Sequence, residues 1–203
     1  MLPAGASCTA SRFALIPACR GYASAMQRIE ADRIAPTPWR NGGGRTRELY
    51  TWPAGADWQL RISLADIEQD GPFSAFPGVQ RHFAVLQGAG VRLQLPEGER
   101  LLRAGDAPLA FDGAAAPGCR LLDGATRDLN LMLQAVAGAM RLADGEPWPD
   151  EGCWRALFVA GAARFQGQLL APRTLLVDLP AGPLRLTRLD AAPAFWIAAQ
   201  TRG

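Results

Sequence analysis

The sequence predicts an all-β protein built from two packed β sandwiches or barrels, and three observations indicate that class. The 203 residues include 22 Gly and 16 Pro, spread along the chain, which indicates many turns. Apolar residues alternate with a period of two, and helical periodicity is scarce. The alternating runs are short and are separated by turn residues, as in sandwiches and barrels.

The longest alternating runs lie in the N-terminal half. TRELYTW (46–52) is predicted to place one set of side chains on one strand face, namely Thr46, Glu48, Tyr50 and Trp52. WQLRISL (58–64) places its apolar residues on one face and Arg61 and Ser63 on the other. QDGPFSAFPG (69–78) is a run of turn formers with two Phe anchors. Residues 82–95 and 121–134 each contain a turn and one or more strands.

The C-terminal half follows the most linker-like stretch, AGAMRLADGEPWPDEG (137–152). Five short strand candidates come after it: WRALFVAG, QGQLLAP, RTLLVDL, PLRLTRL and APAFWIAA. We therefore expect an N-terminal half over 26–136, a connecting segment over 137–152 and a C-terminal half over 153–203.

The first 25 residues differ from the rest of the chain. They are rich in Ala and Ser and contain no acid, as transit peptides do. A misplaced start codon explains them more simply, because ordinary domain-like sequence begins at Met26. We expect residues 1–25 to be a non-native or disordered extension.

Charge and composition exclude several functions. The net charge of +2 predicts neither a nucleic-acid partner nor a membrane partner. The chain has no Lys, which removes Schiff-base and Walker-type phosphate chemistry. Four Cys without a CxxC motif predict reduced thiols and a cytoplasmic location.

The run PWRNGGGRTRELY (38–50) raises the main functional question. The glycines either turn the chain or present bare N–H groups to a ligand. They do not form a dinucleotide fingerprint, because no strand–GxGxxG–helix pattern surrounds them. With the Asn41 amide before them, and Thr46 and Glu48 on the following strand, they predict a tight loop beside a small-molecule pocket.

Seven motifs in one order carry a family resemblance: PWRNGGGRTREL, WQLRIS, DGPFSAFPGVQR, VLQGAGVRL, FDG, LLDG and RDLNLM. The series resembles the HutD/Ves family of cupin-like proteins over about residues 30–135, and more weakly beyond. The resemblance implies a two-cupin (bicupin) fold in a single chain. For HutD-like members it implies an accessory or regulatory role in histidine utilisation, and for Ves-like members a stress response.

A cupin metal site usually needs two or three His and a Glu, but this chain has only His82. We therefore predict a metal-free pocket without a cofactor and a structural role for His82. A carboxylate-only metal site with Glu48 and Asp128 is the alternative.

The pocket itself is predicted from polar strand faces. Arg61 and Ser63 face either solvent or a cavity, and the resemblance favours the cavity. A buried Arg61 then needs an anionic partner, for which Glu48 is the candidate. Asp128 and Asn130 present the same choice between a solvated face and a pocket. The predicted ligand-binding residues are Trp39, Asn41, Gly42, Gly43, Gly44, Thr46, Glu48, Arg61, Ser63, Phe73, Ser74, Arg81, Asp128 and Asn130.

Two functional hypotheses follow. The first is a non-catalytic binding protein for a small carboxylate metabolite, formylglutamate- or urocanate-like. The second is a metal-independent isomerase or hydrolase that uses Glu48 as base and Arg61 as electrostatic anchor. A Ves-like stress protein is a further alternative. A homodimer is expected from fold analogy alone.

Overall fold

A computed structural model describes residues 25–144, 154–180 and 182–201. The predicted extension over residues 1–25 lies outside this part of the chain, apart from its last residue. The described residues form β strands and two 3-10 helices, Ala31–Arg33 and Gly113–Ala115, so the all-β prediction is confirmed. Within these ranges, no helix has the length and apolar character that crossing a membrane requires.

The strands are numbered in chain order. They are β1 (Gln27–Glu30), β2 (Thr37–Pro38), β3 (Gly44–Trp52), β4 (Leu60–Ile67), β5 (Gly71–Pro72), β6 (Val79–Gln87), β7 (Val91–Leu95), β8 (Gly98–Leu102), β9 (Leu109–Asp112), β10 (Gly118–Leu121), β11 (Thr126–Gln134), β12 (Val136–Leu142), β13 (Trp154–Val159), β14 (Ala163–Phe165), β15 (Gln168–Leu170), β16 (Thr174–Val177), β17 (Leu186–Arg188) and β18 (Ala194–Thr201).

These strands form four antiparallel sheets in two sandwiches. The N-terminal sandwich consists of a six-stranded sheet, β2-β3-β4-β11-β6-β9, and a four-stranded sheet, β5-β10-β7-β8. The C-terminal sandwich consists of a five-stranded sheet, β1-β16-β13-β18-β12, and a three-stranded sheet, β15-β14-β17. A buried apolar cluster fills each sandwich. A third cluster, the central core, joins the six-stranded and five-stranded sheets.

Alternation along the central strands decides which side chains face the central core. Leu60, Ile62 and Leu64 of β4 face that core, as do Leu129 and Leu131 of β11. The intervening residues point into the N-terminal sandwich. The polar residues of the predicted motifs therefore lie between the six-stranded and four-stranded sheets.

The connection between the halves differs from the prediction. Residues 136–142 form β12, which pairs with β18 in register from Val136–Thr201 to Leu142–Phe195, so most of 137–144 belongs to a sheet. The rest of the predicted connecting segment, 145–152, lies outside the described residues. At the other end of the chain, β1 crosses over to pair with β16. Each of the five predicted C-terminal segments contains a strand, and β14 was not predicted.

A β-bulge in β3 changes which residues share a face. The register against β4 shifts between Glu48 and Tyr50, so Leu49 is the extra residue of the bulge. Thr46 and Glu48 line the N-terminal sandwich, as predicted. Tyr50 instead stacks on Trp154 at a ring-centroid distance of 5.5 Å. The prediction that Tyr50 and Trp52 share the face of Glu48 is therefore wrong, because simple alternation does not include a bulge.

Candidate functional site

A cavity of about 670 Å³ opens at one end of the N-terminal sandwich, within the size range of small-metabolite sites. Ten of the predicted ligand-binding residues line it: Trp39, Asn41, Thr46, Glu48, Arg61, Ser63, Phe73, Ser74, Arg81 and Asn130. The choice between solvent and cavity for Arg61, Ser63 and Asn130 is thereby settled, since all three face the cavity. Whether these residues bind a ligand stays a prediction.

Several other residues that line the cavity were not predicted from the sequence. Ala65 follows Ser63 at the spacing of one strand face, and the same spacing relates Phe83 to Arg81 and Met132 to Asn130. That alternation was visible in the sequence and would have found them. Arg40 and Phe76 line the mouth from loops, and no periodicity marks them.

The glycine run shapes the loop beside the cavity and does not line it. Gly42 has a φ of +70°, and its N–H donates to the Trp39 carbonyl at 3.1 Å. The Gly43 N–H donates to Asn41 Oδ1 at 3.0 Å. A Cβ on Gly44 would lie 2.2 Å from the Asp66 carbonyl oxygen. The expectation of free glycine N–H groups at the pocket is therefore wrong, because the loop uses the amides of Gly42 and Gly43 for its own turn.

The loop instead fixes Trp39 at the cavity wall. The Trp39 indole Nε1–H donates to Thr46 Oγ1 at 2.7 Å. The Trp39 backbone N–H donates to the Gly44 carbonyl at 2.9 Å. The Trp39 ring also covers Gly44, where a Cβ would come within 3.2 Å of it. Three contacts with β3 thus hold the Trp39 ring at the cavity wall.

Arg61 is held at the mouth by Glu48, as the sequence suggested. Arg61 Nε lies 2.9 Å from Glu48 Oε2, with 26% of the Arg61 side chain and 52% of the Glu48 side chain exposed. The Nε–H is not directed at the carboxylate oxygen, so the contact is an ion pair without an aligned hydrogen bond. Arg61 therefore keeps donor capacity toward the cavity.

Arg81 lies deeper and has a different environment. Its side chain is 7% exposed, and its Nη2–H donates to Asn130 Oδ1 at 3.0 Å. Three rings surround the guanidinium, with centroids 4.8 Å away for Phe73, 5.8 Å for Phe76 and 5.3 Å for Phe111. Burial, with a further contribution from the charge of Arg61, lowers the pKa of Arg81 to about 10.

No carboxylate among the described residues pairs with Arg81. Its Nε is buried without a hydrogen-bond partner in the described structure. A buried guanidinium normally has an anionic partner, because an unpaired buried charge costs several kcal/mol. The cavity therefore offers a site for an anion beside Arg81.

The loop that carries Phe73 and Phe76 is anchored to the four-stranded sheet and its neighbouring turns. The Phe73 N–H donates to the Pro117 carbonyl and the Phe76 N–H to the Gly113 carbonyl, both at 2.9 Å. Asp70 Oδ1 accepts from the Leu121 N–H at 2.8 Å. Asp70 thus anchors the loop, and backbone hydrogen bonds hold Phe73 and Phe76 beside Arg81.

Asp128 does not line the cavity, although it was predicted to. Its side chain is fully buried, where the two sheets close on each other near Cys119. The Thr126 hydroxyl donates to Asp128 Oδ2 at 2.8 Å, and Oδ1 has no partner among the described residues. Burial raises the pKa of Asp128 well above its ordinary value. The strand face on which Asp128 lies was predicted correctly. The four-stranded sheet covers this position, and that packing was not predicted.

His82 lies away from the cavity. It is buried on the β6 face opposite Arg81 and Phe83, with a hydrogen bond to the backbone of Gly138, and burial lowers its pKa. The described residues contain no group of three or more His, Cys, Asp or Glu arranged to hold a metal ion. The carboxylate-only alternative needs Glu48 and Asp128 in one site, but only Glu48 reaches the cavity.

An ion-pair cluster behind the cavity was also missed. Asp66 accepts from Arg47 Nη1 at 2.9 Å and from Arg127 Nε at 2.6 Å. Burial opposes ionisation of Asp66, but these hydrogen bonds outweigh it and lower the pKa of the carboxyl. The cluster ties β3, β4 and β11 together, and these are the strands that carry Glu48, Arg61 and Asn130.

Comparisons with known proteins identify the family. The HutD family model matches residues 31–163. The chain belongs to the HutD family. A protein in the hutC 3′ region of Pseudomonas putida is 44% identical over 115 residues, which cover 54% of this chain and 58% of the relative. Protein Ves of Citrobacter koseri is 34% identical over 59% of this chain and 64% of the relative. Each of these two matches thus spans less than two thirds of the relative.

Solved structures extend the likeness over more of this HutD family chain. HutD from Pseudomonas fluorescens SBW25 is 30% identical, has a TM-score of 0.76 and matches 88% of this chain and 100% of its own. The bacterial pirin YhhW from Escherichia coli, solved with nickel(II), matches 88% of this chain with a TM-score of 0.58. At 10% identity, that second likeness shows the cupin-like fold alone.

Proposed function

We propose that this protein is a HutD-like accessory or regulatory protein that holds a small carboxylate metabolite in a metal-free cupin pocket. The observation that carries the proposal is Arg81, which is buried at the cavity with an amide oxygen and three aromatic rings but no carboxylate. A ligand carboxylate would supply the missing charge through a bidentate pair. Asn130 orients Arg81 for that contact.

The proposed ligands are formylglutamate- or urocanate-like acids of histidine utilisation. Support for the pathway comes from the family and from the name of the P. putida relative. Support for an acid comes from the lining, which contains three arginines, Arg40, Arg61 and Arg81, against one acid, Glu48. Phe73, Phe76 and Trp39 provide apolar surface for the carbon skeleton.

A thermal-shift panel tests the proposal. Formylglutamate, formiminoglutamate, urocanate, glutamate and histidine are added to the wild type and to Arg81→Met. An acid at about 100 times its Kd adds roughly 2.7 kcal/mol, which corresponds to a rise in Tm of about 5–11 °C for a chain of this size. A selective rise that is absent in Arg81→Met supports the proposal. No rise with any acid contradicts it.

A metal-independent enzyme acting on a similar acid is the second candidate. The contact between Glu48 and Arg61 favours it, because it places a carboxylate base beside an anion anchor. Turnover of the acid that disappears in Glu48→Gln would support an enzyme. Equal turnover by the wild type and Glu48→Gln would show that Glu48 is not the base. A Ves-like stress role remains an alternative on the strength of the Ves relatives.

The proposal includes two structural expectations. We propose that the N-terminal and C-terminal sandwiches are the two cupin-like units of a single-chain bicupin, since each has its own pair of sheets and its own apolar cluster. We also propose a cytoplasmic homodimer, which sedimentation or light scattering of the purified protein would check.

A further inference from the structure

The two cavity arginines that lie on strands are held in different ways. Arg81 is held by a neutral amide and by aromatic rings. Arg61 is held by a carboxylate, Glu48, at 2.9 Å. Arg81 has no carboxylate partner among the described residues, whereas Arg61 has Glu48.

The contact between Glu48 and Arg61 is suited to exchange. Glu48 is 52% exposed, so its carboxylate is already largely hydrated and loses little by moving into solvent. Arg61 Nε has no aligned hydrogen bond, so a better-directed acceptor has a geometric advantage. The β-bulge at Leu49 follows Glu48 directly, and bulges commonly redirect side chains beside binding sites.

The charge of the cavity depends on this one side chain. Three arginines and one glutamate give the lining a formal charge of +2, and removal of Glu48 would make it +3. The positive charge of Arg61 already lowers the pKa of Arg81. Glu48, the one acid in the lining, lies against Arg61 and offsets part of this positive charge.

We propose that Glu48 is an internal counter-ion, which the second carboxylate of a dicarboxylate ligand displaces from Arg61. The inference rests on the proposed carboxylate site at Arg81. A monocarboxylate takes Arg81 and leaves the pair between Glu48 and Arg61 intact. A dicarboxylate takes both guanidiniums, and Glu48 turns to solvent. Glu48 thereby sets how strongly the protein prefers dicarboxylates.

Calorimetric titration of acetate and glutarate into Glu48→Gln tests this role. Glutamine keeps the size of the side chain but removes the competing charge. We expect glutarate to bind about threefold to fivefold more tightly to the variant than to the wild type. Acetate affinity should change less than about twofold, because acetate does not need Arg61. Equal gains for both acids, or no gain for either, would overturn the inference.

Glu99→Gln is the matched control. Glu99 forms a similar exposed ion pair, with Arg92 at 2.7 Å, but does not line the cavity. Its substitution should leave both affinities unchanged. A gain in the control equal to that in Glu48→Gln would assign the effect to net charge and contradict displacement.

The experiment separates this inference from the proposed function. If both acids bind the wild type and Glu48→Gln with equal affinity, the carboxylate site stands and displacement fails. If neither acid binds either protein, the carboxylate site fails and displacement fails with it. Glutarate binding that appears only in Glu48→Gln supports displacement.

Discussion

Among the described residues, each sandwich buries one arginine between its sheets, but the two arginines are satisfied differently. In the C-terminal sandwich, Arg155 is 2% exposed and donates to the carbonyl oxygens of Pro180 and, at 3.1 Å, Gly182. In the N-terminal sandwich, Arg81 is 7% exposed, has one amide acceptor and faces a cavity. The first arginine closes a loop onto its sheet, and the second keeps a buried Nε without an acceptor among the described residues.

The difference lies in the acceptors that each arginine has. Backbone carbonyls accept the hydrogen bonds of Arg155, beside the buried apolar cluster of that sandwich. Arg81 depends on stacking with Phe73, Phe76 and Phe111, which positions the guanidinium without neutralising it. We therefore expect substitutions in the C-terminal sandwich to affect stability, and those at the cavity to affect binding.

The largest expected effect comes from Arg155→Met. The substitution removes two hydrogen bonds from a charged donor, and we expect it to lower the free energy of unfolding by about 3–4 kcal/mol. Arg81→Met should change it by less than about 1 kcal/mol, because a poorly compensated buried charge is removed. Urea unfolding of both variants measures the contrast. An equal loss of unfolding free energy in the two variants would contradict the difference between the two arginines.

A smaller effect is expected from the glycine run that holds the cavity wall. In Gly44→Ala, the new Cβ meets the Asp66 carbonyl oxygen at 2.2 Å, and we expect a loss of about 2–3 kcal/mol. Gly42→Ala meets nothing within 4 Å but has a φ of +70°, so it should cost about 1 kcal/mol. Thermal unfolding ranks the two, and the reverse order would contradict the packing role of Gly44.

Asp128→Asn is expected to have the smallest effect, and the effect depends on pH. Burial raises the pKa of Asp128 in the folded protein above the ordinary value of 3.8, so folding retains a proton that the unfolded chain releases. Its contribution to stability is full below about pH 4 and is lost as pH rises toward the folded pKa. Asparagine has nearly the same shape as aspartic acid but does not ionise, so the variant does not lose this stability as pH rises. The variant should gain stability over the wild type as pH rises from 4 to 8, measured by urea unfolding. A constant difference from pH 4 to 8 would contradict a raised pKa.

The alternation in the sequence predicts which face of a strand each residue occupies. It does not predict how far the facing sheet covers that residue, or where a strand has a bulge. Alternation in β4 and β11 predicted correctly that Arg61, Ser63 and Asn130 share a polar face. It also placed Asp128 on that face, yet the four-stranded sheet closes over Asp128, and packing between sheets is not encoded in one strand's pattern. The bulge at Leu49 and the self-bonded glycine loop depend on the register with partner strands, which spacing along the chain does not give.

The central claim is that Arg81 is the anchor for a carboxylate ligand. Calorimetric titration of formylglutamate into the wild type and Arg81→Met tests it most directly, with matched folding of the two proteins checked by circular dichroism. We predict saturable binding to the wild type and about a hundredfold weaker binding to the variant, as expected when one partner of a buried charge pair is removed. Equal affinity of the two proteins would contradict the account.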